Sequence, residues 1–201
     1  MVVIGILGLQ GDVRFHEYIL KDVFKKLNKE DSRIQIVKKP EDLQGIDGII
    51  IPGGESTVIG ILAKKIDLFD ILRNKIAGGL PTLGSCAGLL FLSKEVYDKT
   101  IGQVNQPILG VLNAVSERNS FGTQKESFEA DLNLSILGDI PFKGVFIRAP
   151  TIKEVDSDVE ILSKFNEKII AVKQKNIIAL SFHPELSDDT RIHEFFLNMI
   201  K

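Results

Sequence analysis

The only cysteine of this 201-residue chain is Cys86, in a Gly-Ser-Cys-Ala-Gly motif at positions 84–88. A short apolar run precedes the motif and Leu89–Leu92 follows it, which predicts a strand, a sharp turn and a helix. Small residues around a nucleophile allow such a turn to hold its side chain out at the carboxyl end of the strand. A helix that starts beside the sulfur favours the reactive thiolate. We therefore interpret Cys86 as a nucleophile and not as a buried structural cysteine.

The first ninety residues alternate between apolar runs and amphipathic segments. Continuous runs at Val2–Leu9, Ile34–Val37 and Gly48–Ile51 are typical of strands buried on both faces of a parallel sheet. Strands that alternate with helices predict an α/β fold with helices on both faces of the sheet. We expect a flavodoxin-like three-layer sandwich with a mixed, mostly parallel central sheet and a nucleophile elbow. The first predicted helix begins after an N-cap at Asp12 and has apolar residues at helical spacing, Phe15, Ile19, Val23 and Leu27. Two further helices are predicted at Val58–Lys65 and Leu68–Ile76.

The second half of the chain favours short strands separated by turns. A hairpin is predicted from Ile169–Val172 and Ile177–Ser181, and a final helix from Thr190–Ile200. No repeat, low-complexity tract or linker interrupts the sequence, so we expect one domain over residues 1–201. Further strands are predicted at Leu109–Glu117, Phe128–Leu132, Val145–Ile147 and Val159–Phe165.

Composition excludes several classes of protein. The formal net charge of −2, with charges of both signs interspersed, gives no basic surface for nucleic acid or for an anionic membrane. One cysteine excludes an internal disulfide and fits a reducing compartment. The apolar N-terminus is too short to span a bilayer and lacks the basic region of a signal peptide. We expect a soluble, cytoplasmic protein without nucleic-acid or membrane partners.

Three histidines could serve as the base that a cysteine nucleophile needs. His16 and His193 lie within the predicted helices, and we interpret both as ordinary surface or boundary residues. His183 directly follows a predicted strand, and in an extended segment its side chain projects on the same side as that of Glu185. Pro184 restricts His183 to extended conformations. A carboxylate beside an imidazole orients it, so we predict a Cys-His-Glu triad.

The glycines of the N-terminal half indicate an oxyanion hole and not a phosphate site. The backbone N–H of Ala87 is one candidate donor, and the pair Gly53-Gly54 at the end of a strand supplies a second. Gly53-Gly54 could equally be a plain strand-to-helix turn. The segment lacks the lysine and spacing of a P-loop, and glycines 5, 8 and 11 miss the dinucleotide-binding pattern. We expect neither a cofactor nor a metal site.

Taken together, these motifs resemble a known family. Residues 52–56 (Pro-Gly-Gly-Glu-Ser), 84–88 and 183–185 resemble class I, triad-type glutamine amidotransferases. Residues 7–11, 117–122, 144–150 and 181–189 are similar to the glutaminase subunits of pyridoxal 5′-phosphate synthases, and the similarity covers essentially the whole chain. Leu83, Ser85 and Thr123 depart from the residues expected there, but none is a triad position.

The resemblance implies that Cys86 attacks the side-chain amide of L-glutamine, with His183 as the base and Glu185 orienting it. It also implies a hetero-oligomeric complex in which the ammonia passes through a tunnel to a (β/α)8-barrel pyridoxal 5′-phosphate synthase subunit, in vitamin B6 biosynthesis. An arginine suits the substrate α-carboxylate because it can bind it bidentately. The positions implied to bind glutamine are Gly54, Glu55, Ser56, Arg118, Ile147 and Arg148.

Three alternatives remain open at this point. A glutaminase that serves a different synthase is disfavoured by the motifs around Arg118 and Arg148, although either arginine alone could form a surface salt bridge. A cysteine peptidase or a DJ-1-like stress protein on a related sheet would turn over peptides instead of glutamine. A non-catalytic binding module would not need the triad.

Overall fold

The computed structural model describes residues 1–121 and 127–200. Short 3-10 helices lie at Pro40–Leu43 and Pro184–Leu186. The strands are β1 (Val3–Leu7), β2 (Arg33–Val37), β3 (Gly48–Ile51), β4 (Thr82–Ser85), β5 (Ser93–Asp98), β6 (Gly102–Gln103), β7 (Leu112–Arg118), β8 (Ser127–Leu132), β9 (Phe142–Ile147), β10 (Thr151–Val155), β11 (Glu160–Phe165), β12 (Lys168–Gln174) and β13 (Ile177–Leu180). The α-helices are α1 (Val13–Lys26), α2 (Ser56–Lys65), α3 (Phe69–Ala77), α4 (Ala87–Leu92) and α5 (Arg191–Asn198).

One mixed sheet forms the middle of the fold. Its strands follow the order β2-β1-β3-β4-β13-β12-β10-β7-β5-β6, and β11 pairs with β12. The neighbours from β2 to β13 are parallel, so the carboxyl ends of β1, β3, β4 and β13 meet at one edge. Antiparallel pairing begins with the β12–β13 hairpin, which confirms the hairpin predicted from the sequence. Every motif predicted to carry chemistry in the first half follows one of the parallel strands.

Helices cover both faces of the sheet. The isoleucines of β3 are consecutive because both faces of this strand are buried. Ile49 and Ile51 belong to the core on one face of the sheet, and Ile50 belongs to the core on the other. The first core contains residues of α2, α3 and α4, and the second contains residues of α1 and α5. The predicted flavodoxin-like three-layer sandwich with a mostly parallel centre is therefore confirmed.

The second half contains features that the sequence did not predict. Strands β8 and β9 were predicted, but they form a separate two-stranded sheet whose Phe142 and Phe146 pack into the second core. Strands β5, β6 and β10 were not predicted. β5 begins directly after α4, so no turn signal separates the two elements. The predicted motif residues Gly122 and Thr123 lie outside the described residues.

The entry into α1 differs from the expected cap. Asp12 does occupy the N-cap position, but its side chain makes no capping hydrogen bond. Its backbone N–H instead points to the carbonyl of Gly53 at 3.4 Å, and the N–H of Val13 donates to the carbonyl of Gly11 at 3.0 Å. The contact ties the start of α1 to the loop after β3.

No helix in the two described ranges combines the length and the apolar character needed to cross a lipid bilayer.

Candidate active site

The elbow between β4 and α4 has the expected geometry. Cys86 adopts φ 50° and ψ −101°, a left-handed conformation that L-residues rarely occupy, between the last residue of β4 and the first of α4. Its N–H donates to the carbonyl of Leu180 on β13 at 2.8 Å, which fixes the strained turn to the neighbouring strand. The cysteine itself, and not a glycine, carries the positive φ.

The two motif glycines serve close packing. A Cβ atom at Gly84 would lie 2.6 Å from Leu92 Cδ1, and one at Gly88 would lie 2.2 Å from the carbonyl oxygen of Ile51. α4 can therefore lie directly on β3 and β4 only if both positions lack a side chain. This contact sets the angle at which the chain leaves the elbow.

His183 reaches the cysteine because β13 and β4 are adjacent and parallel. Leu180 pairs with Ser85, so Cys86 and the segment that carries His183 both leave the sheet at the same edge. The N–H of His183 donates to the carbonyl of Val145 on β9 at 2.9 Å, which anchors this segment. Its Nδ1 lies 2.7 Å from Oε1 of Glu185, whose side chain has no exposed area. The three predicted triad residues are thus brought together.

Burial and charge shape the ionisation of this group. Burial opposes a charge on His183, but its interactions with Cys86 and Glu185 outweigh that effect and raise the pKa of His183 to about 10. Burial likewise opposes a charge on Glu185, yet the facing His16 and His183 lower the pKa of Glu185 to about 2. The site therefore favours a carboxylate next to a cationic imidazole.

A pocket of about 300 Å³ opens in front of Cys86 and His183. Glu185 is not among its lining residues and supports the ring of His183 from behind. Gly53 does not line the pocket either, whereas Ala87 does. All six positions implied to bind glutamine line it: Gly54, Glu55, Ser56, Arg118, Ile147 and Arg148.

Two of these pocket-lining positions form an ion pair with each other. The Nη2 atom of Arg118 lies 3.3 Å from Oε1 of Glu55. Arg148 also lines the pocket and has φ 46°, and the carbonyl oxygen of the preceding Ile147 lies 4.0 Å from the Cys86 sulfur. A cationic group and a carboxylate side by side match the two charges of an amino-acid backbone.

Gln106 is a functional candidate that the sequence analysis missed. It is 8% exposed, its Nε2 donates to Ser56 Oγ at 3.0 Å, and its Oε1 accepts from Thr57 Oγ1 at 2.8 Å. Nη1 of Arg118 lies 3.5 Å from the same oxygen. The residue stands in a segment without regular structure, so no periodicity in the sequence pointed to it.

Gln10 contacts the glycine pair. Its Oε1 accepts a hydrogen bond from the N–H of Glu55 at 2.6 Å, and a Cβ atom at Gly54 would lie 2.2 Å from that oxygen. Gly54 has φ 154°, which favours glycine. The loop after β3 that contains Gly53 and Gly54 is thus in contact with the residues that follow β1.

The interpretation of His16 and His193 as surface or boundary residues is wrong. Both side chains are fully buried, and they contact each other beside Glu185. The buried stripe of α1 contains His16, Ile19, Leu20, Val23 and Phe24, whereas Phe15, which began the predicted stripe, is 48% exposed. His16 lies three and four residues before Ile19 and Leu20, and that spacing was the signal that could have identified it.

Known proteins resemble the chain over nearly its full length. A family model described as the SNO glutamine amidotransferase family matches residues 6–201. The pyridoxal 5′-phosphate synthase subunit PdxT of Staphylothermus marinus is 49% identical over 201 residues, covering 98% of each chain. The proteins of the same name from Aeropyrum pernix and Nitrosopumilus maritimus are 48% and 44% identical, and each alignment covers 98% of this chain and 98% and 96% of the respective relative.

Solved structures also resemble this chain over nearly its full length. A crystal structure described as a glutamine amidotransferase superposes with a TM-score of 0.85 at 42% identity and covers 98% of both chains. A chain in the structure of PurLQS from Thermotoga maritima superposes with a TM-score of 0.63, covering 99% of this chain and 98% of that one. At 15% identity, the second likeness shows the fold alone.

Proposed function

Because the chain belongs to the SNO glutamine amidotransferase family, we propose that it hydrolyses L-glutamine to L-glutamate and ammonia through a thioester on Cys86. One observation carries the proposal: the strained elbow presents Cys86 beside His183, whose Nδ1 lies 2.7 Å from the buried Glu185. This combination of nucleophile, base and orienting carboxylate suits acyl transfer.

The first half of the reaction forms the thioester. The Cys86 thiolate attacks the side-chain carbonyl carbon of glutamine, and the carbonyl oxygen becomes an oxyanion. The N–H of Ala87 is one donor for this oxyanion, because the first N–H groups of a helix have no intrahelical partner. The Gly53-Gly54 segment supplies the second. The carbon–nitrogen bond then breaks, and His183 gives its proton to the leaving amine to release ammonia.

The second half regenerates the enzyme. His183, now neutral, takes a proton from a water molecule that attacks the thioester carbon. The carbon–sulfur bond breaks, glutamate leaves, and Cys86 returns as a thiolate beside the imidazolium. Glu185 stays ionised throughout, consistent with the lowering of its pKa, and holds the imidazole in one tautomer.

Substrate recognition rests on the charges at the mouth of the pocket. We assign Arg118 to the α-carboxylate of glutamine and Glu55 to its α-amino group, because these two side chains already pair at 3.3 Å and line the pocket. Gly54, Ser56, Ile147 and Arg148 complete the wall around the side-chain amide.

We further propose that the ammonia is delivered to a separate pyridoxal 5′-phosphate synthase subunit of (β/α)8-barrel fold, for vitamin B6 biosynthesis. The support comes from relatives that are 44% and 49% identical and carry the name of a synthase subunit. Residues 1–201 would act as one glutaminase domain and leave the ammonia-consuming chemistry to its partner. A closed route between the two sites would keep the ammonia from being protonated in water.

The test is a coupled assay with the cognate synthase subunit. With pentose and triose phosphates present, the wild-type complex should form pyridoxal 5′-phosphate with glutamine as the nitrogen source, and Cys86→Ala should support synthesis only from added ammonium salt. Glutamine hydrolysis by the variant should fall by about 10⁶. A folded Cys86→Ala variant that keeps more than a few per cent of the activity would exclude Cys86 as the nucleophile.

The same assay separates the alternatives. A wild-type chain that is activated only by a synthase of another pathway would be a glutaminase for that pathway. Turnover of peptides without turnover of glutamine would indicate a peptidase. The fold relatives below 25% identity favour none of these, because they bear on the fold alone.

A further inference from the structure

Two histidines outside the triad form a buried row with its carboxylate. Nε2 of His16 lies 3.4 Å from Oε2 of Glu185, and Nδ1 of His16 lies 3.3 Å from Nε2 of His193. Neither imidazole has any exposed area. His16 comes from α1 and His193 from α5, so the two helices that cover one face of the sheet both send an imidazole towards Glu185.

The oxygen that faces this row needs a donor. Oε1 of Glu185 is engaged by His183, whereas Oε2 is buried and makes no hydrogen bond of good geometry within the two described ranges. Leaving a buried carboxylate oxygen without a donor is costly. Nε2 of His16 lies 3.4 Å from Oε2 and can supply this donor.

The neighbours of His16 favour the tautomer that can donate. A neutral imidazole carries one N–H and one acceptor nitrogen. If the proton of His16 is on Nε2, its Nδ1 can accept from Nε2–H of His193, so both contacts are satisfied. Ser85 Oγ, 3.4 Å from His16 Nε2, is a hydroxyl that can act as an acceptor there. Burial lowers the pKa of both histidines and so favours their neutral forms.

We propose that His16 is a positioning residue of the triad: its Nε2–H donates to Oε2 of Glu185 and fixes the carboxylate that orients His183, while His193 holds His16 in that tautomer. The inference rests on the proposed glutaminase function and adds a fourth and a fifth member behind the triad. The carboxylate is then held by an imidazole on each oxygen. A Glu185 side chain with a hydrogen bond to each carboxylate oxygen keeps its orientation while His183 exchanges its proton with the substrate.

Three variants test the role of His16 in the complex with the cognate synthase. His16→Met approximately keeps the size of the side chain and the helix propensity but removes the N–H donor. We expect kcat for glutamine hydrolysis to fall about 10- to 100-fold, the size of effect seen when a residue that orients a functional group is removed. KM should change less than about twofold. His16→Gln can bring an amide N–H near the same place and should recover most of that loss. Lys25→Met, on the exposed side of the same helix, is the matched control.

A merely structural role would predict a different pattern. If His16 were only structural, each variant would lose activity in proportion to the fall in its unfolding midpoint. His16→Gln and His16→Met would then have the same kcat at equal stability. A positioning role acts through Glu185, so His16→Met should cost less than about twofold when it is introduced into Glu185→Gln. An undiminished effect in that background, or a folded His16→Met with wild-type kcat, would overturn the inference.

The tautomer of His16 gives a readout that needs no variant. NMR of the wild-type chain with nitrogen-15-labelled histidines should show His16 protonated at Nε2 and unprotonated at Nδ1. The opposite tautomer could not donate to Glu185 from Nε2 and would overturn the inference. A wild-type complex that does not hydrolyse glutamine would overturn the proposed function, and this inference with it. An active wild type that is indifferent to His16→Met would overturn this inference alone.

Discussion

The imidazole of His183 packs directly on the backbone of Gly53. A Cβ atom at position 53 would lie 2.3 Å from Cε1 and 2.9 Å from Nδ1 of the ring. Nδ1 of the ring is also 2.7 Å from Oε1 of Glu185, so the ring is constrained by two segments of the chain. A side chain at position 53 would therefore displace the ring of His183. This effect is separate from the proposed role of the Gly53-Gly54 peptide in the oxyanion hole.

Gly53→Ala should displace His183 and slow catalysis. A shift of about 1 Å in a reacting group can cost on the order of 10²-fold in rate, so we expect kcat to fall by at least about 10-fold in a chain that remains folded. Steady-state kinetics and thermal unfolding measure the two effects. Gly78→Ala, at the end of α3, serves as the control. Wild-type kcat in Gly53→Ala would mean that the ring of His183 can move without consequence.

Glu185→Gln should slow turnover and preserve the affinity for glutamine. The carboxylate lies behind His183 and outside the pocket, so an amide of equal size disturbs the tautomer and charge of the imidazole but not the substrate contacts. We expect a loss of roughly 10²–10⁴ in the single-turnover rate. Calorimetry with glutamine reports the affinity, and the exposed Glu160→Gln is the control. Weak binding with unchanged chemistry would instead assign Glu185 to substrate recognition.

Gln106→Leu should weaken glutamine binding more than it slows the chemistry. The substitution keeps the volume but removes the hydrogen bonds to Ser56 and Thr57 and the contact with Arg118. These hydrogen bonds lie within the protein, so the loss of each should lower the free energy of unfolding by about 1 kcal/mol, and KM should rise because Ser56 and Arg118, which line the pocket, are no longer held in place. The exposed Gln103→Leu provides a matched control. An equal fall in kcat would contradict a role confined to binding.

The free energy of unfolding should fall on acidification because His193 is buried as the neutral form. Burial, together with His16, lowers the pKa of His193 from 6.5 to about 3, so below pH 6.5 the unfolded chain binds a proton that the folded chain does not. Stability should therefore fall by about 1.4 kcal/mol per pH unit from this group as the pH drops from about 6.5 towards 3.

His193→Phe removes this contribution. Urea unfolding at pH 7, 6 and 5 should show a shallower loss of stability in the variant than in the wild type, and His16 leaves a residual dependence of the same sign. Identical slopes in the two proteins would mean that His193 is protonated in the folded state.

The isolated chain should be a weak glutaminase that becomes fast when the synthase binds. Gly54 has φ 154°, which suits glycine, and the carbonyl of Gly53 accepts only a long contact, of 3.4 Å, among the backbone hydrogen bonds of the described residues, so we expect a second orientation of the Gly53-Gly54 peptide with its N–H turned away from the site. A missing oxyanion donor corresponds to roughly 10²–10³ in rate. Glutaminase rates with and without the synthase, at saturating glutamine, measure the activation.

Gln10 is the candidate link to the partner, since its Oε1 already holds the N–H of Glu55 beside that peptide. Gln10→Ala should reduce the activation by the synthase. Equal rates for the free and bound wild-type chain would refute the switch, whereas full activation of Gln10→Ala would remove only Gln10 from it.

Local sequence patterns determined a large part of this protein. Continuous apolar runs can be stable only when both faces of a strand are covered, so β1 to β4 and the layers around them could be predicted. The elbow at Cys86 and the contact between His183 and Glu185 could also be predicted, because each depends on residues within a few positions of one another, although the extended segment expected there is a 3-10 helix at Pro184–Leu186. Boundaries that carry no turn signal, such as that between α4 and β5, could not.

Only the tertiary structure decided what surrounds the triad. His16 and His193 are separated by 177 positions, and Gln106 lies 50 residues from Ser56. The sequence gives each helix a buried stripe, but which polar groups of two stripes meet is fixed by the packing of α1 and α5 on the same face of the sheet. A buried imidazole is costly without a polar neighbour, and packing places Nε2 of His16 at 3.4 Å from Oε2 of Glu185.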